Sequence, residues 1–160
     1  MSSLADNVHF VEAIPCPAAG NSYAGTKTSD VIGMANASEC TFMVYRGAGG
    51  TGTTTITVLS CDDFVPTTST AIAFEYKLIT TGTAAHTEGD WTAATTAGFT
   101  TAVTANVIYL CRAKSEDLVD GDIGIKIVCT ESADDPVGGA VIAMLSGYRY
   151  PQENKISAIA

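Results

Sequence analysis

The feature that most constrains this chain is a two-residue alternation of apolar and polar side chains, concentrated in runs of β-branched residues. It is plainest after a cluster of glycines, in the segment GAGGTGTTTITVLSCDD at positions 47–63. Threonine, isoleucine and valine crowd the preceding turn of a helix but fit a pleated strand, so residues 53–61 predict a strand entered from a glycine-rich hairpin turn. The glycines also spell G-x-G-x-x-G at Gly47, Gly49 and Gly52. A dinucleotide site needs a helix after such glycines, to aim its N-terminus at the pyrophosphate, and a threonine-rich strand cannot supply one. A phosphate loop needs a lysine after the last glycine, where this chain has Thr53. Both nucleotide readings fall.

The same period recurs along the chain. Residues 70–79 place Ile72, Phe74, Tyr76 and Leu78 on one face and Glu75 and Lys77 on the other. Val103, Ala105, Val107, Tyr109 and Cys111 form an inward row opposed by Thr104, Asn106 and Arg112, and Ile123, Ile125 and Ile127 alternate with Gly124 and Lys126. Residues 41–46 predict a further strand, 31–34 a weaker one and 8–14 a short edge strand. Residues 140–146 are apolar on both faces and predict a central strand. Between the runs lie turn signals: Asp62-Asp63 with Pro66, Gly82, Gly89-Asp90, Asp120-Gly121, and Asp134-Asp135-Pro136 with Gly138-Gly139. Only 115–118 looks helical, as one turn capped by Ser115. Seven to eight short strands predict an all-β chain, an antiparallel β-sandwich or jelly roll, with a closed barrel as the fallback. Residues 1–25, with Pro15 and Pro17 around Cys16, predict an extended N-terminal arm, 26–150 the sandwich and 151–160 a C-terminal tail. A chain of 160 residues is sufficient for one packed core.

Composition narrows the function. A formal charge of -9 opposes nucleic-acid binding, which depends on basic side chains neutralising phosphates. Apolar residues make up 46% against 16% charged, so apolar surface is expected to meet a partner rather than water. No apolar run is long enough to span a bilayer, and MSSLADNVHF has neither the basic start nor the apolar stretch of a signal peptide. The five cysteines form no C-x-x-C pair and sit far from His9 and His86, so they read as small reduced hydrophobes and not as zinc ligands. No G-x-S-x-G accompanies the two histidines, and no EF-hand spacing surrounds Asp62-Asp63 or Asp134-Asp135. No catalytic residue, metal or cofactor is therefore expected.

Aromatic residues supply the candidate contacts. Trp91 lies in a segment of small residues, where it either anchors an interface or lids one end of the sandwich. Phe99, Tyr148, Arg149 and Tyr150 complete the set of interface candidates, since tyrosine and arginine are enriched where proteins meet.

The combination of GTTTITVLSCDD (52–63), AIAFEYK (71–77), a tryptophan-containing loop and DPVGGAVIAMLSGYRY (135–150) resembles small virion proteins of tailed bacteriophages. The resemblance covers residues 26–150. It implies a capsid decoration, or cement, protein that bridges subunits of the major capsid protein on the capsid exterior after assembly in the host cytoplasm. It also implies self-association, as a trimer in preference to a dimer, without nucleic-acid or membrane binding. The shared positions are core and turn residues, so no functional residue carries over. The alternatives are a tail or tail-tube protein, and a carbohydrate-binding attachment module using Tyr45, Trp91 and Tyr148.

Overall fold

A computed structural model describes residues 4–18, 20–48, 51–81, 85–134 and 137–148. In chain order the elements are a single helical turn α1 (Leu4–Asn7), then β1 (His9–Ile14), β2 (Thr26–Thr28), β3 (Ile32–Gly33), β4 (Glu39–Arg46), β5 (Thr53–Cys61), β6 (Ser69–Ile72) and β7 (Phe74–Thr81). There follow β8 (His86–Glu88), β9 (Thr92–Ala94), β10 (Phe99–Thr100), β11 (Val107–Lys114), a 3-10 turn (Ser115–Asp117), β12 (Gly124–Ala133) and β13 (Gly139–Ser146). They form two packed antiparallel sheets, a β-sandwich and not a closed barrel. The larger sheet runs β1-β13-β4-β11-β7, with β8 and β9 sharing the far edge of β7. The smaller is built on the β5–β12 pair, flanked by β10 and β6 on one side and by β2 and β3 on the other.

Alternation gave the inward faces. Ile56 and Val58 on β5 and Ile125, Ile127 and Cys129 on β12 meet Phe42 and Val44 on β4, Val107, Tyr109 and Cys111 on β11, and Val141, Ala143 and Leu145 on β13. The described residues hold thirteen strands, more than the seven to eight expected, because edges are assembled from two- to four-residue pieces. The expected strand at 70–79 is two. Ile72 and Phe74 are both buried as predicted, but the chain crosses between sheets at Ala73, so β6 joins the smaller sheet and β7 the larger. The strand expected from Val103 starts at Val107; Val103 is 60% exposed and Asn106 takes a positive φ of 54° before the strand begins. Ile123 likewise lies outside β12 and is exposed. The helical turn at 115–117 is capped by a hydrogen bond from Lys114 N to Asp117 Oδ2 (2.9 Å), and not by Ser115.

Two expectations about chain course are corrected. The glycine segment after Arg46 is no hairpin, because β4 and β5 belong to different sheets. It is an arch, lying beside a second arch from β12 to β13, with Gly47 N donating to Gly138 O at 2.8 Å. The backbones approach so closely that a Cβ on Gly52 would stand 2.0 Å from Asp134 O, and one on Gly139 2.1 Å from Tyr45 O. Glycine is needed there for space, not for a phosphate. Nor do residues 1–25 stand off as an arm among those described. Strand β1 pairs with β13 along most of its length, and Tyr23 is buried with its hydroxyl donating to Tyr45 O at 2.6 Å. The C-terminal tail lies outside the described residues.

The arch end is closed by polar groups. Arg46 ends β4 on the inward side, 0% exposed, and donates to Ala102 O (2.8 Å) and Gly52 O (3.3 Å). Ser22 Oγ bonds Gly139 O and accepts from Gly139 N, each at 2.7 Å. Thr101 and Thr54 exchange two hydrogen bonds, Thr54 N to Thr101 Oγ1 at 3.0 Å and Thr101 N to Thr54 O at 2.9 Å. These contacts satisfy carbonyls and amides that the strand ladders release where the chain changes sheets.

Two predictions follow from this interior. Arg46→Met should lower stability by about 3 kcal/mol, since it strands buried carbonyls while keeping the apolar stem, and urea unfolding measures it. An unchanged midpoint would remove Arg46 from its role in closing the arches. The second concerns the buried thiols. Desolvation pushes Cys129 up to about 12 and also raises Cys40 and Cys111. Each folded-state value is raised, so the stability these thiols contribute is complete below the unfolded value of about 8.5 and is lost as pH rises toward the folded value. Unfolding free energy should therefore fall above pH ~9, by about 1.4 kcal/mol per pH unit for each thiol. Cys129→Ala should flatten that slope by one thiol's share, and an identical slope would contradict the assignment.

Candidate interface on the outer face of the larger sheet

Each strand has a second face, and the two sheets treat it differently. On the smaller sheet it carries Thr53, Thr55 and Thr57 on β5, Thr130 on β12, and Thr26 and Thr28 on β2, interrupted by Leu59 and Val128. Thr55 Oγ1 bonds Thr100 Oγ1 at 2.9 Å and Ser132 Oγ at 2.6 Å, so this face is a hydroxyl layer in contact with water. The larger sheet is the reverse. Register places Ile142, Met43 and Leu110 side by side across β13, β4 and β11, and one row away Ala140, Tyr45, Ile108 and Ile79 across β13, β4, β11 and β7. Met144 and Phe10 extend the apolar area to β1. Phe10 is 50% exposed and Tyr45 43% exposed, and the side chains between them are only half-buried. In a two-layer fold no third layer covers such a face.

Ion pairs cluster along the β7 border, while the β1 edge carries Glu12 beside Ile142. Arg112 on β11 pairs with Glu75 on β7 and approaches Glu39 at 3.9 Å, and Lys77 pairs with Glu88. The hydrogen bond from Arg112 is the largest cause holding the Glu75 carboxyl below its usual range, and Lys77 does the same for Glu88. Trp91 lies over these cations, its ring centroid 4.2 Å from the Arg112 guanidinium carbon and 5.7 Å from Lys77 Nζ. Cation–π attraction of this kind, about 0.5–1 kcal/mol at exposed sites, holds the indole flat against the sheet. Trp91 is thus on the outer face, 37% exposed, and does not lid an end of the sandwich.

Between Trp91 on one side and Leu4 and Phe10 on the other runs an apolar groove of about 290 Å³, floored by Thr41, Leu110 and Met144 and bounded at one end by Ser146. The turn α1 and the strand β1 form its far wall, so the N-terminal residues help build the site.

The other candidates are placed differently. Phe99, on β10 of the smaller sheet, is half-buried and stacks on Tyr76 of the larger at 3.8 Å with 5° between planes. Tyr109 lies 5.4 Å away, so this ring joins the two sheets instead of facing outward. Tyr148 packs against the core, which pushes its phenol pKa up by burial. Tyr45, Trp91 and Tyr148 therefore do not make the single row of exposed rings that a glycan-binding face requires. Arg149 and Tyr150 lie outside the described residues. His86 is exposed on the short edge strand β8, and Asp62 accepts from Thr67 Oγ1 (2.6 Å) and Thr68 N within its own turn, which keeps its carboxyl below the usual range. Among the described residues no three of His, Cys, Asp and Glu converge as metal ligands, and no helix is long and apolar enough to cross a membrane.

Sequence reasoning passed over Phe10, Met43, Ile108, Leu110, Ile142 and Met144. Their signal was present: 140–146 and 107–111 are apolar on both faces, and a sandwich has an interior for one face only. Compared with protein-family models, with curated proteins and with solved structures, the chain matches none.

Proposed function

We propose that the protein is a structural virion component that decorates a tailed-bacteriophage capsid and stabilises it by bridging major capsid subunits. One observation carries this reading: an uncovered aliphatic and aromatic face on the larger sheet, backed by a threonine-covered face on the smaller. A decorating element needs this polarity, one side to bury and one to leave in water. Apolar burial contributes about 25 cal/mol per Å², and many weak contacts in an array hold far more strongly than one. The net charge of -9 keeps such a surface from adhering to nucleic acid. Repeated docking sites lie on symmetry axes, which favours a trimer ahead of a dimer. The role proposed is adhesive, with no reaction and no cofactor, on the capsid exterior.

The reading is tested on particles. Virions lacking the protein should lose integrity at lower temperature and under milder osmotic shock than complete ones, and equal resistance would end the proposal. Tyr45→Asp together with Ile108→Asp should weaken co-sedimentation with shells about tenfold or more, by desolvating charge at the contact, while Thr130→Asp on the opposite face should leave it unchanged. Equal loss from both faces would exclude this surface. Stacked rings of the purified protein in negative-stain images would instead support a tail-tube subunit.

A further inference from the structure

The outer face of the larger sheet is arranged as its own complement. One register row crosses five strands as Glu12, Ile142, Met43, Leu110 and Lys77, on β1, β13, β4, β11 and β7 in turn. An acid closes the row at one border and a cation at the other, with three apolar side chains between. The neighbouring rows are built alike. Phe10, Met144, Thr41 and Arg112 make one, with Trp91 lying over Arg112, and Ala140, Tyr45, Ile108 and Ile79 make the other. Strand β4 is the middle of the five, so Thr41, Met43 and Tyr45 mark the centre line of the face.

A two-fold axis along that line reverses each row onto itself. Met43 then meets Met43 of the second copy, Ile142 meets Leu110, and Glu12 meets Lys77 at both ends. Phe10 comes against the Trp91 rim. A two-fold axis across the strands would instead set Glu12 against Glu12 and Lys77 against Lys77, so charge selects the first arrangement. Among the described residues Glu12 forms no ion pair, and Lys77, an ammonium with three donors, gives one to Glu88. Five strands at ~4.8 Å and six residues at ~3.4 Å give a footprint of about 480 Å² per copy. Two copies together bury about 1,000 Å², which is where specific interfaces begin, so the association is a weak one.

We propose that in solution a second copy of this chain covers the outer face of the larger sheet. The two pack face to face about a two-fold axis along β4, with Glu12 of each copy opposite Lys77 of the other. This goes beyond the shell-binding reading and describes the free protein: a shell that takes the same face displaces the second copy, and the trimer favoured above belongs to the shell's own symmetry axes.

Sedimentation equilibrium of the full-length chain, without shells, should show monomer passing to dimer between about 1 and 300 μM. Glu12→Lys and Lys77→Glu should each weaken that dimer about tenfold or more, since each brings like charges together at both ends. Mixed in equal amounts, the two variants should recover the affinity of the unsubstituted chain, because the mixed pair restores opposite charges at each end. Met43→Lys, which sets two ammonium groups together on the axis, should leave the chain monomeric across the same range. An unsubstituted chain that stays monomeric or forms a trimer would overturn the proposal, and so would mixing without recovery. The assay contains no shell, so its failure is distinct from failure of the decoration reading, which is scored on particles.

Discussion

A fully buried guanidinium is the most demanding group in this molecule, and the end of the sandwich is organised to accommodate it. Arg46 stands where β4 leaves the larger sheet, and the carbonyls of Gly52 and Ala102 reach it from two separate loops. An ion of this kind removed from water costs several kcal/mol unless its donors are met. The loops are consequently drawn inward and the glycine arches pressed together. Tyr23 and Ser22 complete the closure from the N-terminal side, each bonding carbonyls of the adjoining strands. Two sheets between which the chain repeatedly crosses are thus locked at one end by polar contacts, while aliphatic packing holds them together elsewhere.

With that end closed, the body has two unequal faces. Threonine suits an exposed strand because its branched carbon favours extended backbone while its hydroxyl satisfies water or a neighbour. The smaller sheet uses it over much of its outer face, with Leu59, Lys126 and Val128 between the threonines. The larger sheet places isoleucine, methionine, leucine and tyrosine in the equivalent positions, against the usual pattern of an antiparallel sheet with one solvated side. Exposed apolar rows of this kind promote aggregation unless something covers them. The adhesive role proposed above is one answer to that physical problem, and it places Trp91 at the border of the covered area.

Much of this was legible beforehand. Alternation at 107–111 and 123–127 identified the buried Val107, Tyr109, Cys111, Ile125 and Ile127, with Ile123 the exception, and the turn signals divided the chain close to where the strands end. The apolar excess over charge pointed to exposed apolar surface, and the outer face of the larger sheet carries it. The rows that make up that surface went unread, because Ile108 and Leu110 were taken within a strand whose inward residues already accounted for its hydrophobicity. Phe99 was mistaken for a contact residue because nothing local shows that its strand faces Tyr76 across the sandwich.

The sequence alone determined which residues extend and which side of each strand is apolar, since both follow from steric preferences and a period of two that act within a few residues. Only the tertiary structure decided which sheet each strand joins, that the chain crosses at Ala73 and at the glycine arches, and that among the described residues no layer covers one apolar face. Those outcomes depend on pairing between residues far apart in the chain, and on the number of layers available to bury a second face. Neither is encoded in local periodicity.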